Sequence, residues 1–383
     1  MTKFRNSLIV EAVGSKSSQI CSIGAFVRAE RLALNAEGGN ATLFEPDINE
    51  VYPKFPDKEI DPNIIIYHSP SLYDRRRPWN AITSLLKLKA KYGNAKFVAV
   101  VHEFSEAPWH WKLRQKIINL LCDMIVTNSS TDFNSLGGEN SKTLLTHLGP
   151  TLFRSDLIEF ALNSKSDGNL DFIQNEVTKA RNRFSKKFQI KMDSKWLVHP
   201  GLFTQGKGID FLKNFAAVLP KNSLLILLGA RGPKAKDQEF AEITIRELNS
   251  ILGQNLKVLE ATDDEDFRDA LTAADIVVLP YDQGVSERRS SFLASMSCGA
   301  NIFTTIGYMS LNMQMEASGV VRIAAHELFA NPVGSASLIE EFLKKSDAES
   351  TKCRALNLVW ASNRSWTHRI KMISEFFDRR FSN

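Results

Sequence analysis

The chain has 383 residues, with 48 Lys plus Arg against 43 Asp plus Glu, a formal net charge of +5, and 43% hydrophobic and 24% charged residues. At roughly 100–200 residues per domain this length fits two domains, and the composition excludes a disordered or collagen-like chain. The longest apolar runs, Ile64 to Ile66 and Leu224 to Leu228, fall far short of the ~18 residues of a membrane-spanning helix. At the start, Glu11 interrupts the short apolar stretch Leu8 to Val10 and no small-residue cleavage site follows. No signal peptide is therefore expected, and a cytoplasmic location is. The four cysteines, Cys21, Cys122, Cys298 and Cys353, lack C-x-x-C spacing and sit in apolar or helical contexts. They are expected to be reduced core residues rather than zinc ligands or disulfide partners.

In chain order, short β-branched runs alternate with longer helical patterns, the mark of βαβ units and parallel sheets. The first series of strands is Ser7 to Val13, Ala41 to Phe44, Asn63 to His68, Phe97 to His102, Met124 to Asn128 and Thr143 to His147. A polar stretch, Asn163 to Asn169, interrupts the pattern and marks an interdomain connection. Glu176 to Lys187 follows, with Lys179, Arg181, Arg183, Lys186 and Lys187, and is expected to be a solvated helical face. The second series is Trp196 to His199, Leu224 to Gly229, Leu256 to Leu259, Asp275 to Pro280 and Ala300 to Thr304, with the continuous apolar character of strands buried on both faces. Two doubly wound α/β domains result.

Ligands of open parallel sheets bind beyond the carboxyl ends of the strands. After Trp196 to His199 comes HPGLFTQGKGIDFL, where Gly201, Gly206 and Gly208 let backbone approach a ligand and Lys207 precedes a helix. After Leu224 to Leu228 comes GARGP, with Gly229, Arg231 and Gly232. After Asp275 to Pro280 comes YDQGVSERRSSFLASMSCG, with Asp282, Gly284, Ser286, Glu287, Arg288 and Arg289 at the mouth of a helix over Ser290 to Ser297. Several cations together with a helix N-terminus match a diphosphate. Taken singly, each cation is an ordinary surface residue.

Over Trp196 to Thr305 these segments resemble the donor-binding domain of GT-B glycosyltransferases of the family 4 type. The resemblance implies a GT-B fold, two Rossmann-like doubly wound domains facing each other across a cleft. An acceptor-side domain would span 1–165, completed by a C-terminal helix over 360–383, with a nucleotide-sugar domain over 170–359. Lys207 and Gly208 match the family's lysine-glycine pair, whose lysine contacts the donor diphosphate. Leu202 stands at the usual arginine, and Arg288 with Arg289 are expected to compensate for it. Aligning SMSCG with the family's ending puts Ser286 and Ala294 where its two glutamates stand, with Glu287 one place off register. Ribose binding by a carboxylate at Ala294 is thereby excluded. A branch of the family with a similar GVSERRSS segment points to a variant enzyme.

In the first domain, His102 and Glu103 stand where the family has a histidine with an acidic neighbour facing the donor sugar. Gly14, Ser15 and Lys16 resemble its acceptor-side loop, without the usual glycine pair. Base recognition is expected near Glu260 and Ala261. The resemblance implies a hexosyltransferase that uses a nucleotide-diphosphate sugar and retains configuration. His102, Glu103, Lys207 and Arg288 would be the catalytic residues, with no cofactor and no metal. The acceptor would be a glycan or a polyprenyl-diphosphate-linked sugar, in bacterial surface polysaccharide or glycoconjugate synthesis. Trp109, Trp111, Lys112, Arg114 and Lys116 are expected to meet an anionic membrane surface while Leu113, Ile117 and Leu120 face the core, and Arg75 to Arg77 add basic charge. Nucleic acid is not expected as a partner. Loss of the paired glutamates leaves open a catalytically silent GT-B scaffold. A GT-B phosphorylase or epimerase is the third alternative.

Overall fold

Two six-stranded parallel sheets organise the protein, in a computed structural model. It describes residues 6–11, 22–44, 61–68, 80–102, 104–105, 107–152, 154–163, 170–209, 211–232, 234–260, 263–286, 288–310 and 319–381. In chain order the elements are β1 (Asn6–Glu11), α1 (Ser22–Ala36), β2 (Asn40–Phe44), β3 (Ile64–His68), α2 (Asn80–Lys91), β4 (Lys96–Val101), α3 (Trp109–Leu121), β5 (Met124–Thr127), α4 (Ser130–Ser135) and β6 (Thr143–Leu145). There follow α5 (Ser155–Asn163), α6 (Leu170–Phe188), β7 (Lys195–Phe203), α7 (Phe211–Ala216), β8 (Ser223–Arg231), α8 (Ala235–Leu252), β9 (Leu256–Glu260), α9 (Asp264–Ala273), β10 (Ile276–Leu279) and α10 (Ser290–Ser297). The chain closes with β11 (Ile302–Ile306), β12 (Val321–Ala324), α11 (Ala325–Ala330), α12 (Pro332–Leu343), α13 (Asp347–Ser362) and α14 (Trp366–Phe381).

The chain divides into two units, Met1–Thr151 with Arg364–Asn383, and Leu152–Asn363. In the first, the strand order is β2-β1-β3-β4-β5-β6. Its inner strands read IIIYH and KFVAVV, almost wholly buried, because helices cover both faces of a parallel sheet. One face packs Ile66, Val98, Val100 and Val126 against Val27 of α1 and Ile370, Ile373 and Phe377 of α14. The other packs Ile65, Tyr67, Phe97 and Ala99 against Leu85 and Leu88 of α2 and Ile118 of α3. In the second unit the order is β12-β11-β10-β7-β8-β9. Its core gathers Leu197, Leu225, Leu227, Val278 and Phe303 with Phe211, Phe215, Leu248 and Ile339. Helix α5 packs Leu157 and Ala161 on Ile173 and Val177 of α6 and Leu358 of α13, so the polar stretch at 163–169 follows a helix of the second unit.

Strand β12 escapes the sequence analysis because Arg322 breaks its apolar run and the strand lies at the sheet edge, half-buried. The basic face of α6 is solvated as expected at Lys179, Arg183, Lys186 and Lys187, and several of its cations are also paired. Arg181 reaches Asp275 (2.9 Å) and the carbonyls of Ala273 and Ser194, Arg183 makes a bidentate pair with Asp269 (2.6 and 2.7 Å), and Lys187 meets Asp266 (2.6 Å). These cations tie α6 to α9 and to the start of β10. The acidic run at the start of α9 is thereby engaged: Asp263 accepts from the Asp266 amide at 2.8 Å, and Asp266 takes Lys187. Cys122 and Cys298 are buried free thiols and Cys353 is a half-buried one, while Cys21 lies outside the described residues. Among the described residues no helix is long and apolar enough to cross a membrane.

Candidate functional site

Strand order reverses between β7 and β10 in the second sheet, and beyond the carboxyl ends of such a pair an open α/β sheet has its natural crevice. Both strand ends deliver chemistry there. After β7 the backbone turns through Thr204 to Ile209, with Gly206 and Gly208 at φ +76° and +79°. A Cβ on Gly208 would lie 2.0 Å from the Pro280 carbonyl oxygen, so only glycine lets this loop close on the segment that follows β10. A Cβ on Gly206 would meet the Asp282 carboxylate only at an ordinary 3.5 Å, so it is the positive φ that favours glycine there. Lys207, between them, brings Nζ to 6.0 Å from the centre of the Tyr281 ring, and the Arg289 guanidinium stands 4.8 Å from the same ring. The Tyr281 hydroxyl is fixed by Ser291 Oγ at 2.6 Å.

This packing sets the charge of the site. Burial, and then the positive charge of Arg289, push the Lys207 ammonium down from 10.5 to about 8, with Asp282 acting in the opposite sense. Arg289 is the N-cap residue of α10, and its Nε is buried without a hydrogen-bond partner. Two crowded cations and the unpaired amides of a helix start make a place for an anion. Around it the Gly284 amide donates to Tyr281 O (3.1 Å), the Arg289 amide to Ser286 O (3.0 Å), and Gly284 at φ +84° packs on Gly307. Beneath it, His199 donates from Nδ1 to the Val278 carbonyl (2.9 Å), and burial pulls its pKa down to about 4. Its Nε2 is left as a buried acceptor without a partner. Nothing in the sequence marks His199, since an HPG tripeptide reads as a strand end.

Not every candidate joins this group. Arg231 and Glu260 pair with each other at 3.0 Å on the ends of β8 and β9, both side chains about 40% exposed. Gly201, at φ +124°, abuts Ser291 of α10. Arg288 stands at the mouth of α10 next to Arg289. Leu202 is half-buried on β7, and Ala294 is buried within α10, where it offers no carboxylate. Gly14, Ser15, Lys16, Arg75 to Arg77, Glu103, Ala261 and Glu287 lie outside the described residues.

The first sheet reverses order between β1 and β3. His68 ends β3, and His102 lies just past β4, the next strand. Both are buried, with His68 Nδ1 3.2 Å from His102 Nε2 and their rings inclined by 22°. His68 Nε2 meets Glu30 Oε2 of α1 at 2.8 Å, and the other oxygen of Glu30 accepts from Arg369 Nε of α14 at 3.0 Å. Burial would raise the Glu30 carboxyl, but Arg369 and the His68 bond outweigh it and hold it down at about 2. Arg369 also donates to Asn128 (2.7 Å) and to the Thr146 hydroxyl. Sequence reasoning missed Glu30, His68 and Arg369. The available signal was that the neighbouring runs IIIYH and VAVVH both end in histidine.

Helix α3 meets expectation at Trp109, Lys112 and Lys116 but not at Trp111, Arg114, Leu113 and Leu120. Trp111, Arg114, Gln115, Ile118 and Asn119 are buried, with Arg114 3.9 Å over the Trp111 ring and Gln115 bonded to Asn119 at 2.8 Å. Trp109 (76% exposed), Leu113 (46%) and Leu120 (81%) face out, with Lys116 exposed and Lys112 and Ile117 half-exposed. The inner face therefore carries Arg114, Gln115 and Asn119 beside Trp111 and Ile118, while Leu113 and Leu120 lie outside.

No protein-family model and no curated protein matches the sequence. Solved structures do match. The chain is similar to sucrose-phosphate synthase from Thermosynechococcus elongatus, with a TM-score of 0.65 and 15% identity over 98% of this chain and 99% of that one. It is similar to Anabaena HepE in complex with UDP and glucose, with a TM-score of 0.64 and 14% identity over 98% and 99% of the two chains. It is also similar to the catalytic domain of starch synthase IV from Arabidopsis thaliana bound to ADP and acarbose, at 0.65 and 12% over 98% and 99%. The fold is GT-B, two Rossmann-like α/β units.

Proposed function

We propose that the chain is a retaining hexosyltransferase that moves a sugar from a nucleoside-diphosphate sugar to a glycan or lipid-linked acceptor. The observation that carries this is the pairing of Lys207 and Arg289 around Tyr281 at the N-terminus of α10, on the switch point of the second sheet. A diphosphate suits two neighbouring cations at the start of a helix. The similar structures with bound UDP and ADP support the nucleotide class and leave the base open. As the glycosidic bond breaks, its electron pair goes to the leaving phosphate oxygen, and Lys207 with Arg289 stabilise that charge in place of a metal. The same oxygen takes the proton of the acceptor hydroxyl, which adds to the anomeric carbon on the face the leaving group vacates. Arg288 supplies further positive charge at the mouth of α10. In the first unit, His102 touches a sugar hydroxyl of the reactants.

The acceptor side follows from α3, whose outer face of Trp109, Leu113, Lys116 and Leu120 suits the interface of an anionic bilayer. That fits a polyprenyl-diphosphate-linked acceptor in surface polysaccharide or glycoconjugate synthesis at the cytoplasmic membrane face. Hydrolysis or transfer from UDP-, GDP- and ADP-hexoses, followed by NMR of the released sugar, tests the proposal. Turnover of one donor with retained anomeric configuration, lost in Lys207→Ala, is expected. A second reading, a silent scaffold in a glycan assembly complex, is favoured by the buried Ala294 in place of a carboxylate. It requires glycan synthesis in cells to survive Lys207→Ala and Arg289→Ala.

A further inference from the structure

On the reading of Lys207 and Arg289 as a diphosphate site, we infer that Tyr308, Asp282 and Gln283 form a ledge for the hexose of a nucleoside-diphosphate sugar. The ledge lies at the carboxyl ends of β10 and β11, and the Tyr308 ring stands against one face of the sugar.

Two strand-end loops are stitched together to build it. After β11 the chain makes a 3-10 turn over Tyr308–Ser310. The Met309 amide donates to the Gln283 carbonyl (3.2 Å), the Ser310 hydroxyl to the Val285 carbonyl (2.6 Å), and the Val285 amide to the Thr305 carbonyl (2.9 Å). The Thr305 hydroxyl reaches the carbonyl of Tyr281, the residue that Lys207 and Arg289 share. Gly284 and Gly307 make the approach close, since a Cβ on Gly284 would lie 2.3 Å from the Gly307 nitrogen. Backbone groups and short side chains therefore hold the turn to the loop of the anion site, and none of these bonds involves the Tyr308 ring. That ring is 65% exposed, and no hydrogen bond or ring contact among the described residues engages it.

A turn that needs no side chain at this position, yet displays an aromatic ring beside a ligand crevice, points to what the ring touches. Asp282 and Gln283 are both exposed on the loop to which the turn is bonded. Among the described residues the Asp282 carboxylate hydrogen-bonds only the Gln283 amide (3.0 Å), and the Gln283 side chain bonds none. An apolar ring face beside a carboxylate that accepts and an amide that both donates and accepts suits a hexose, with C–H groups on its faces and several hydroxyls at its rim. A flat nucleoside base has no such rim of hydroxyls. Sheet order assigns the two ends of the ligand accordingly. Strands β8 and β9 lie on the β7 side of the reversal and β11 on the β10 side, so the sugar sits over β10 and β11 and the nucleoside runs toward β8 and β9.

Isothermal titration of the whole protein with UDP, GDP and ADP, and with UDP-glucose, UDP-galactose, GDP-mannose and ADP-glucose, tests this. The quantity read is the affinity of a sugar nucleotide relative to its own diphosphate. In Tyr308→Ala this ratio is expected to fall roughly threefold to tenfold, in Tyr308→Phe to stay, and in Gln283→Ala to fall roughly threefold or more. Affinity for the bare diphosphate is expected to be the same in all three variants. The side chains changed are exposed and bond nothing in the fold, so the variants are expected to fold. An equal loss for diphosphate and sugar nucleotide in Tyr308→Ala would put the ring on the nucleoside, and an unchanged ratio would take it out of the site. Either result, or a diphosphate that binds while none of its sugar nucleotides does, overturns the ledge and leaves the diphosphate site standing. If no nucleotide binds at all, the diphosphate site is itself overturned and the ledge with it.

Discussion

Lys207 is the residue on which most of the chemistry rests, and its environment makes a prediction about pH. Burial and Arg289 bring its pKa down from 10.5 to about 8, so the unliganded side chain is charged below that value and neutral above it. A diphosphate binds the charged form, so its affinity is expected to fall as pH rises through about 8. A titration calorimetry series from pH 7 to 10 checks this, and a flat profile would place Lys207 outside the anion site. In the other unit, Arg369→Met leaves the carboxylate of Glu30 buried without its counter-charge. That is expected to cost about 3–5 kcal/mol of stability, read by denaturant unfolding, whereas the double change Glu30→Gln with Arg369→Met recovers part of it. Lys207 was legible in the sequence because two glycines flank it at a strand end. Glu30 and Arg369 were not, because 339 residues separate them and no local pattern records a pairing made by the return of α14.

At the level of elements, the strands were legible wherever both faces are buried, as at Ile64–His68 and Ile276–Leu279. The edge strand Val321–Ala324 was not, since half-burial leaves it without a continuous apolar run. Helix α3 shows a different failure. Its apolar residues were assigned inward by pattern, yet the inner face is closed by the Arg114 stack on Trp111 and the Gln115–Asn119 bond. Polar side chains that stack or bond to one another can be buried, as Arg114 on Trp111 and Gln115 with Asn119 are here, and apolar pattern alone does not then tell which face of a helix is inside. Vesicle sedimentation tests what that face does. Binding is expected to vesicles rich in anionic lipid, to weaken with salt, and to drop roughly tenfold or more in Leu113→Gln with Leu120→Gln, since each leucine forfeits about 1.5–3 kcal/mol of apolar burial. Equal binding by the double variant would remove α3 from the membrane contact.

Across the whole molecule, alternation of apolar strands with helical patterns was enough to reveal two doubly wound units. The order of strands within each sheet was not written in any one segment. That order matters, because it makes β7 and β10 neighbours across the reversal of the second sheet and so joins Lys207 to Arg289. Of the four cations at neighbouring strand ends, Lys207 and Arg289 share Tyr281, while Arg231 is paired with Glu260. Isothermal titration of UDP, GDP and ADP into the wild type, Lys207→Ala and Arg289→Ala tests this arrangement most directly. One nucleotide is expected to bind the wild type and to lose about 1.5–3 kcal/mol, or roughly 10- to 150-fold, in each variant. Absence of binding by all three nucleotides, or binding that both variants leave intact, would contradict a diphosphate site at the ends of β7 and β10.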